Sequence, residues 1–481
     1  MGLKEKTISG LFWSFTDSFT SQGIQFVAGI ILARILTPRE FGLIGMLTIF
    51  IAISQSFIDS GFSNALIRKK ECTSEDYSTV FYYNIVVSLL FYILLFTFAG
   101  IISDFFKEPQ LKDLIRVLGC GLLFNSLAII QRTILTKDLN FKLQMRISVI
   151  ASSASGALSI SMAYMGYGVW SLIVLTLGRF ALTSFFLWVW SEWRPLLLFS
   201  KKSFYELFSY GSKILLSGLI DTIYRNIYYL IIGKFFSANE LGYYTRADQF
   251  QALPSQNLNK VISKVSFPLL SNIQNDTSQL KLAYKKIIKS TMLVTFVLMM
   301  GLSAVAKPLI LTLIGEKWIS SIIYLQMLCF VGMFYPLHAL NLNMLQVQGR
   351  SDLFLRLEII KKILAVPAII IGIIWGIKIM IIGMMINTII AYILNSYWSG
   401  KFIGYSSLQQ IRDIFPSFIL AVIINSVVFI FGYLVNWPEA VKLVTQILMA
   451  SFLTITLSEI LHFEDYLYIR NTVIEKVFNK K

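Results

Sequence analysis

The chain has 481 residues, 56% of them hydrophobic and only 14% charged, with a net charge of +16 at pH 7. A mean hydropathy of +0.69 excludes an ordinary soluble domain and places most of the chain in lipid. Cys72, Cys120 and Cys329 have no CxxC or metal-ligand spacing, and His338 and His462 are too far apart to pair, so no disulfide framework, metal or cofactor is expected.

Apolar stretches between charged breaks predict spans near 9–35, 41–66, 79–103, 113–135, 147–165 and 168–190. The first runs from about Ile8 to Leu36, the length of a span rather than of a cleaved signal. After the Trp193-Arg194-Pro195 break, spans resume near 205–233, 241–269, 289–314, 319–346, 357–375 and 377–399. A last pair, near 414–435 and 440–461, precedes a charged tail. The expected fold is an all-α integral membrane protein of about fourteen transmembrane helices.

The chain repeats itself after two hundred residues. Arg34-Ile-Leu-Thr37-Pro38-Arg39-Glu40-Phe-Gly42 has its counterpart in Lys234-Phe-Phe-Ser237-Ala-Asn-Glu240-Leu-Gly242. Thr37 and Ser237 suit an N-cap, Glu40 and Glu240 the third position of a capping box, and Pro38 the first helical position. Tyr167-Gly168-Val169 and Trp375-Gly376-Ile377 likewise join the fifth and sixth spans of each half, and Glu108-Pro109 matches Glu316-Lys317 before each fourth span. Six spans per half with the same start give a parallel repeat. The expected divisions are a first lobe at 1–200, a second at 201–404, and two further helices with a tail at 405–481.

With the N-terminus inside, about 26 of the 42 Lys and Arg fall on inner segments and about 8 on outer ones. This predicts both termini in the cytoplasm. Arg68-Lys69-Lys70 and the Lys281 to Lys289 run read as anchors at the anionic inner leaflet. Nothing beyond net charge points to nucleic acid.

Ionisable groups inside spans are costly unless they face a wet cavity or a partner, so they mark candidate sites. Arg179 lies in the middle of the sixth span, and Lys213, Ser217, Asp221 and Arg225 form a stripe at i, i+4 spacing in the seventh. Asp17, Ser21 and Gln25 make the corresponding stripe in the first. Arg246, Asp248, Lys260 and Lys264 lie in or near the eighth, and Arg34 ends the first. Asp221 and Arg225 can also neutralise each other, and Arg34 can snorkel to the outer interface.

Ala33-Arg34-Ile-Leu-Thr37-Pro38, Asp59-Ser-Gly61-Phe, Asn226-Ile-Tyr-Tyr-Leu-Ile-Ile-Gly233-Lys234, Gly242-Tyr-Tyr-Thr-Arg246 and Phe267-Pro268-Leu-Leu-Ser271 resemble the polysaccharide-transporter, or Wzx-type, flippases. That family belongs to the superfamily containing MATE exporters and the lipid II flippase, and the resemblance spans roughly residues 5–400. Many relatives carry an acid two residues after the Asn matched by Asn226, where this chain has Tyr228. The resemblance implies a multi-pass protein of the bacterial inner membrane, and a monomer is the default expectation. By alternating access it would export a polyprenyl-diphosphate-linked oligosaccharide for O-antigen, capsule or exopolysaccharide synthesis, beside membrane lipids and polysaccharide assembly machinery. Arg179, Arg225, Arg246, Lys260 and Arg34 are the expected substrate-binding cations, and Asp17, Gln25 and Asp221 the expected cavity or coupling groups. The alternatives are a MATE-like small-molecule exporter and a polysaccharide polymerase or ligase. An enzyme of the second kind usually needs a large outer loop, and no outer loop predicted here exceeds about a dozen residues. No Walker A sequence occurs, so ATP drive within the chain is not expected.

Overall fold

Several helix starts in this chain are set by side chains that satisfy the first free amides. The Thr37 N–H and hydroxyl both donate to Glu40 Oε2, at 2.6 and 2.9 Å, with Pro38 in the first turn. Ser237 takes the same place in the second copy, its hydroxyl oxygen accepting the Glu240 N–H at 3.2 Å. Capping boxes also start the helices after Thr73, with Asp76, and after Ser406, with Gln409.

The computed structural model describes residues 3–478, with side chains from 13 to 471 apart from Phe15. The extreme ends of the basic start and of the tail, residues 1–2 and 479–481, lie outside the described residues. In chain order the helices are α1 (Leu3–Ile35), α2 (Pro38–Asp59), α3 (Phe62–Arg68), α4 (Ser74–Phe106), α5 (Leu111–Lys137), α6 (Phe141–Tyr164), α7 (Val169–Trp190), α8 (Lys201–Phe235) and α9 (Ala238–Asn272). They continue with α10 (Thr277–Ala304), α11 (Ala306–Leu313), a 3-10 turn (Glu316–Trp318), α12 (Ile319–Gly332), α13 (Tyr335–Val347), α14 (Ser351–Trp375), α15 (Ile377–Ile403), α16 (Ser407–Leu434), α17 (Glu439–Ile460) and α18 (Glu464–Phe478). No strand occurs among the described residues.

Among the described residues, 10 helical segments are long and apolar enough to cross a membrane: α2 with α3, α4, α5, α6, α7, α10, α12 with α13, α15, α16 and α17. The all-helical membrane architecture expected from the sequence is therefore present. The long helices α1, α8, α9 and α14 fall short of that apolarity because polar side chains interrupt them, as Asp17 and Gln25 do in α1. Three predicted stretches are broken. The stretch 41–66 divides at Ser60 and Gly61, both left-handed with φ of 47° and 70°. Gly61 is required there, since a β-carbon would lie 2.6 Å from the Gly211 carbonyl oxygen. The stretch 289–314 divides at Val305, and 319–346 divides before Pro336, which sits in the first turn of α13.

By contacts the chain forms two compact units, Met1–Gly242 and Tyr243–Lys481. In the first, α1 lies along α6, α6 along α7, α5 on α4 and α7, and α2 on α8. The first helix of the second repeat, α8, thus packs within the first unit. Lipid removes most of the hydrophobic drive between helices, so small residues that allow close approach do more here. Ser159 Oγ donates to the Ser171 carbonyl at 2.6 Å, tying α6 to α7. The two repeat loops meet reciprocally: a β-carbon on Gly42 would overlap the Ala238 carbonyl, and one on Gly242 would overlap that of Pro38. In the second unit α10 packs on α16 and α12, and α14 on α15. Its core gathers Tyr284, Met292, Phe296, Leu337, Met344 and Tyr405.

Candidate functional site

The polar stripe of α1 follows from i, i+4 spacing, which stacks Asp17, Ser21 and Gln25 on one face. Ser21 Oγ donates to the Asp17 carbonyl at 2.6 Å, and Gln25 Nε2 donates to the Ser21 carbonyl at 3.2 Å. On α6, which lies along α1, Gln144, Ser148 and Ser152 repeat the same spacing. These two faces, with Gln55 of α2, Asn125 and Arg132 of α5, and Arg179, Phe180 and Thr183 of α7, enclose a polar cavity of about 430 Å³ inside the first unit.

Charge is concentrated in it. Asp17 has Ser148 and Arg132 as its polar neighbours, and Arg132 in turn feels Arg179. Arg132 lies deep in the bundle, yet its side chain is exposed because the surface it presents is cavity wall. Arg179 is half-buried, its guanidinium 5.3 Å from the Phe180 ring centroid. Among the described residues neither guanidinium has a carboxylate within 4.0 Å, and Asp17 Oδ1 is buried without a hydrogen-bond partner. Two forked donors facing a polar cavity are suited to a polyanionic group.

Of the residues singled out in the sequence, Asp17, Ser21, Gln25 and Arg179 come together here. The rest do not line this cavity. Arg225 Nε donates to Asp221 Oδ2 at 2.7 Å, an i, i+4 pair on α8 with side chains 66% and 46% exposed. Arg34 is exposed in the last turn of α1, Arg246 half-buried on α9 and Lys260 exposed on the same helix. Tyr228 is buried. Arg132 and the α6 stripe were missed in the sequence. Arg132 falls inside the predicted 113–135 span, so the criterion that selects Arg179 selects it too, and Gln144-Ser148-Ser152 shows the spacing that marks α1.

The profile of the polysaccharide biosynthesis protein family matches residues 31–323. The chain belongs to that family. A family relative, the lipopolysaccharide biosynthesis protein WzxC of Escherichia coli (strain K12), is 27% identical over 432 residues, covering 88% of this chain and 86% of WzxC. The teichuronic acid biosynthesis protein TuaB of Bacillus subtilis (strain 168) is 28% identical over 357 residues, 73% of each chain. In fold, the chain is similar to the lipid II flippase MurJ in an inward closed conformation. The TM-score is 0.78 at 17% identity, over 94% of this chain and 99% of that one.

Proposed function

We propose that the protein is a flippase that carries a polyprenyl-diphosphate-linked oligosaccharide, the repeat unit of a surface polysaccharide, across the bacterial inner membrane by alternating access. The observation that carries this reading is the pair Arg132 and Arg179 in one polar cavity, with no carboxylate among the described residues close enough to salt-bridge either. A diphosphate entering a low-dielectric layer needs its charge balanced, and planar guanidiniums do so with forked hydrogen bonds. A MATE-like cationic drug would be repelled by the same pair. The names of the relatives, for lipopolysaccharide and teichuronic acid biosynthesis, and the MurJ-like fold favour a lipid-linked glycan as cargo. Transport needs no covalent chemistry on that cargo.

The same proposal includes about fourteen spans, the ten apolar ones together with α1, α8, α9 and α14. They form six-helix lobes at 1–200 and 201–404 and an appendix at 405–481, in a monomer with both termini cytoplasmic. Helices lining a polar path must carry polar groups, which is why these four fall short of lipid-facing apolarity. Arg179 and Arg132 bind the diphosphate, with Asp17 and Gln25 beside them. Arg225 holds Asp221 at rest and exchanges it for the incoming anion, and Arg34, Arg246 and Lys260 are further cations on the path.

The test is transport of a defined lipid-linked oligosaccharide by the purified protein in vesicles. Arg179→Ala or Arg132→Ala lowers the rate about tenfold or more, the worth of one charge-assisted interaction, with insertion and abundance unchanged. Equal rates in wild type and both variants remove the diphosphate site.

A further inference from the structure

A second polar cavity, of about 480 Å³, lies in the first unit away from the arginine pair. It is built by the turn before α7, the start of α2 and the first turn of α5. Gly166 and Gly168 take φ of 84° and 55°, conformations open to glycine, and hold the Tyr167 ring 55% exposed between them. Gly168 has a second role: a β-carbon there would lie 2.6 Å from Glu40 Oε1, so its absence lets that carboxylate form the pocket floor. Trp170, two residues on, presents its ring at 36% exposure. Gln110 and Asp113 reach the same cavity from α5, both exposed.

Two of the polar groups are already committed. Glu40 holds Thr37 through Oε2, and Arg39 is paired with Glu108 at 2.6 Å. Four are not: among the described residues the side chains of Gln110, Asp113, Tyr167 and Trp170 have no hydrogen-bond partner. The cavity therefore offers two aromatic faces, a carboxylate acceptor, an amide that both donates and accepts, and two ring donors. An anion would meet Asp113 and Glu40, and an apolar guest would strand the polar groups. A neutral polyhydroxyl ring satisfies the whole set, with its C–H face on an aromatic ring and vicinal hydroxyls on Asp113 and Gln110. The volume falls in the range of small-molecule sites, ~300–1,000 Å³.

We propose that this pocket is a saccharide subsite that holds sugar rings of the cargo at the outer face, separate from the diphosphate pair. The proposal rests on the flippase reading and its topology, which put residues 108–113 and 166–168 outside. Binding energy for the sugars at this face draws the glycan forward once its diphosphate has left the inner side.

The test uses the full chain in nanodiscs and, as probe, the repeat-unit oligosaccharide freed of lipid and diphosphate. Saturation-transfer NMR and calorimetry read its binding. Wild type binds, Trp170→Ala and Asp113→Asn each weaken binding about tenfold or more, and Arg179→Ala leaves it unchanged because the probe carries no phosphate. Absence of binding, equal binding by Trp170→Ala and Asp113→Asn, or displacement of the probe by tetraethylammonium overturns the subsite. The same preparation assayed in vesicles separates the two readings. Transport of the lipid-linked glycan without binding of the free sugar removes the subsite and keeps the flippase. Failure to transport it removes the flippase reading, and the subsite with it.

Discussion

Arg132 and Arg179 share one cavity in which Asp17 is the single carboxylate among the described residues, and the imbalance is what gives the site its chemistry. Adding a second cation beside the first is unfavourable unless an anion spends part of its time there. Lysine in place of either arginine keeps the charge and loses the planar fork, so Arg179→Lys is expected to regain only part of the transport lost in Arg179→Ala. The pair on α8 makes a different prediction. Asp221 and Arg225 are 2.7 Å apart and well exposed, so their mutual attraction contributes no more than about 0.5 kcal/mol to helix stability. If Arg225 is needed for cargo, the neutral pair Asp221→Asn with Arg225→Gln folds normally and stays inactive in the transport assay. Recovery of transport in that double variant would show that Asp221 serves only to cancel Arg225.

Contacts between elements are set by what small and buried residues permit. Gly42 and Gly242 let the two repeat loops touch backbone to backbone, and either β-carbon would overlap a carbonyl of the other loop. Gly42→Ala or Gly242→Ala is expected to cost ~1–3 kcal/mol through overpacking. Gly100→Ala, with nothing within 4 Å of its new methyl, is expected to cost none of this. Thermal unfolding in detergent compares the three. The docking of α18 depends on Lys289, which lies 3.2 Å from Asp465 and 3.3 Å from Glu464, while Lys286 covers the Tyr468 ring at 3.6 Å. Burial holds the Asp465 carboxyl above its ordinary range, against the pull of Lys289. A raised carboxyl favours the docked state most when protonated, and that contribution fades as pH rises through the raised value. Lys289→Ala leaves the partly buried carboxylate without its cation, so α18 is expected to loosen by roughly 1–3 kcal/mol at neutral pH. It re-docks as pH falls and Asp465 takes up a proton. Hydrogen exchange across 464–478 at several pH values reads both effects, and loosening that deepens in acid would refute the assignment.

For the molecule as a whole the consequential proposal is topology. A reporter fused after Lys202 or to the tail is expected in the cytoplasm, and one near Lys107 outside. A cysteine introduced between Lys281 and Lys289 is expected to resist impermeant thiol reagents in intact cells. Labelling there would invert the outer assignment of the saccharide pocket and the inner assignment of the basic loops together, because alternate loops of a helical bundle share one side. The all-helical membrane fold and the family were legible in the chain through its hydropathy and its loop motifs. The capping box at Thr37 and the serine cap at Ser237 were legible too, since a cap is a contact between residues three apart.

What the sequence by itself determined, then, is local. Helix starts at Thr37, Ser237 and Ser406, the polar stripe of Asp17, Ser21 and Gln25, and the apolar length of most spans all depend on residues within a few turns of one another. The tertiary structure alone decided which stripes face each other. Arg132 joins Arg179 because α5 packs on α7, and Gln144 and Ser148 join Asp17 because α6 lies along α1. Nothing within either helix specifies those neighbours. The same holds for Tyr167 and Trp170 with Asp113, which lies more than fifty residues before them in the chain and is brought to the same pocket. Helix-to-helix packing in lipid is settled by close fit of small residues and by paired polar groups, which are sums over many distant contacts and have no signature in any one segment.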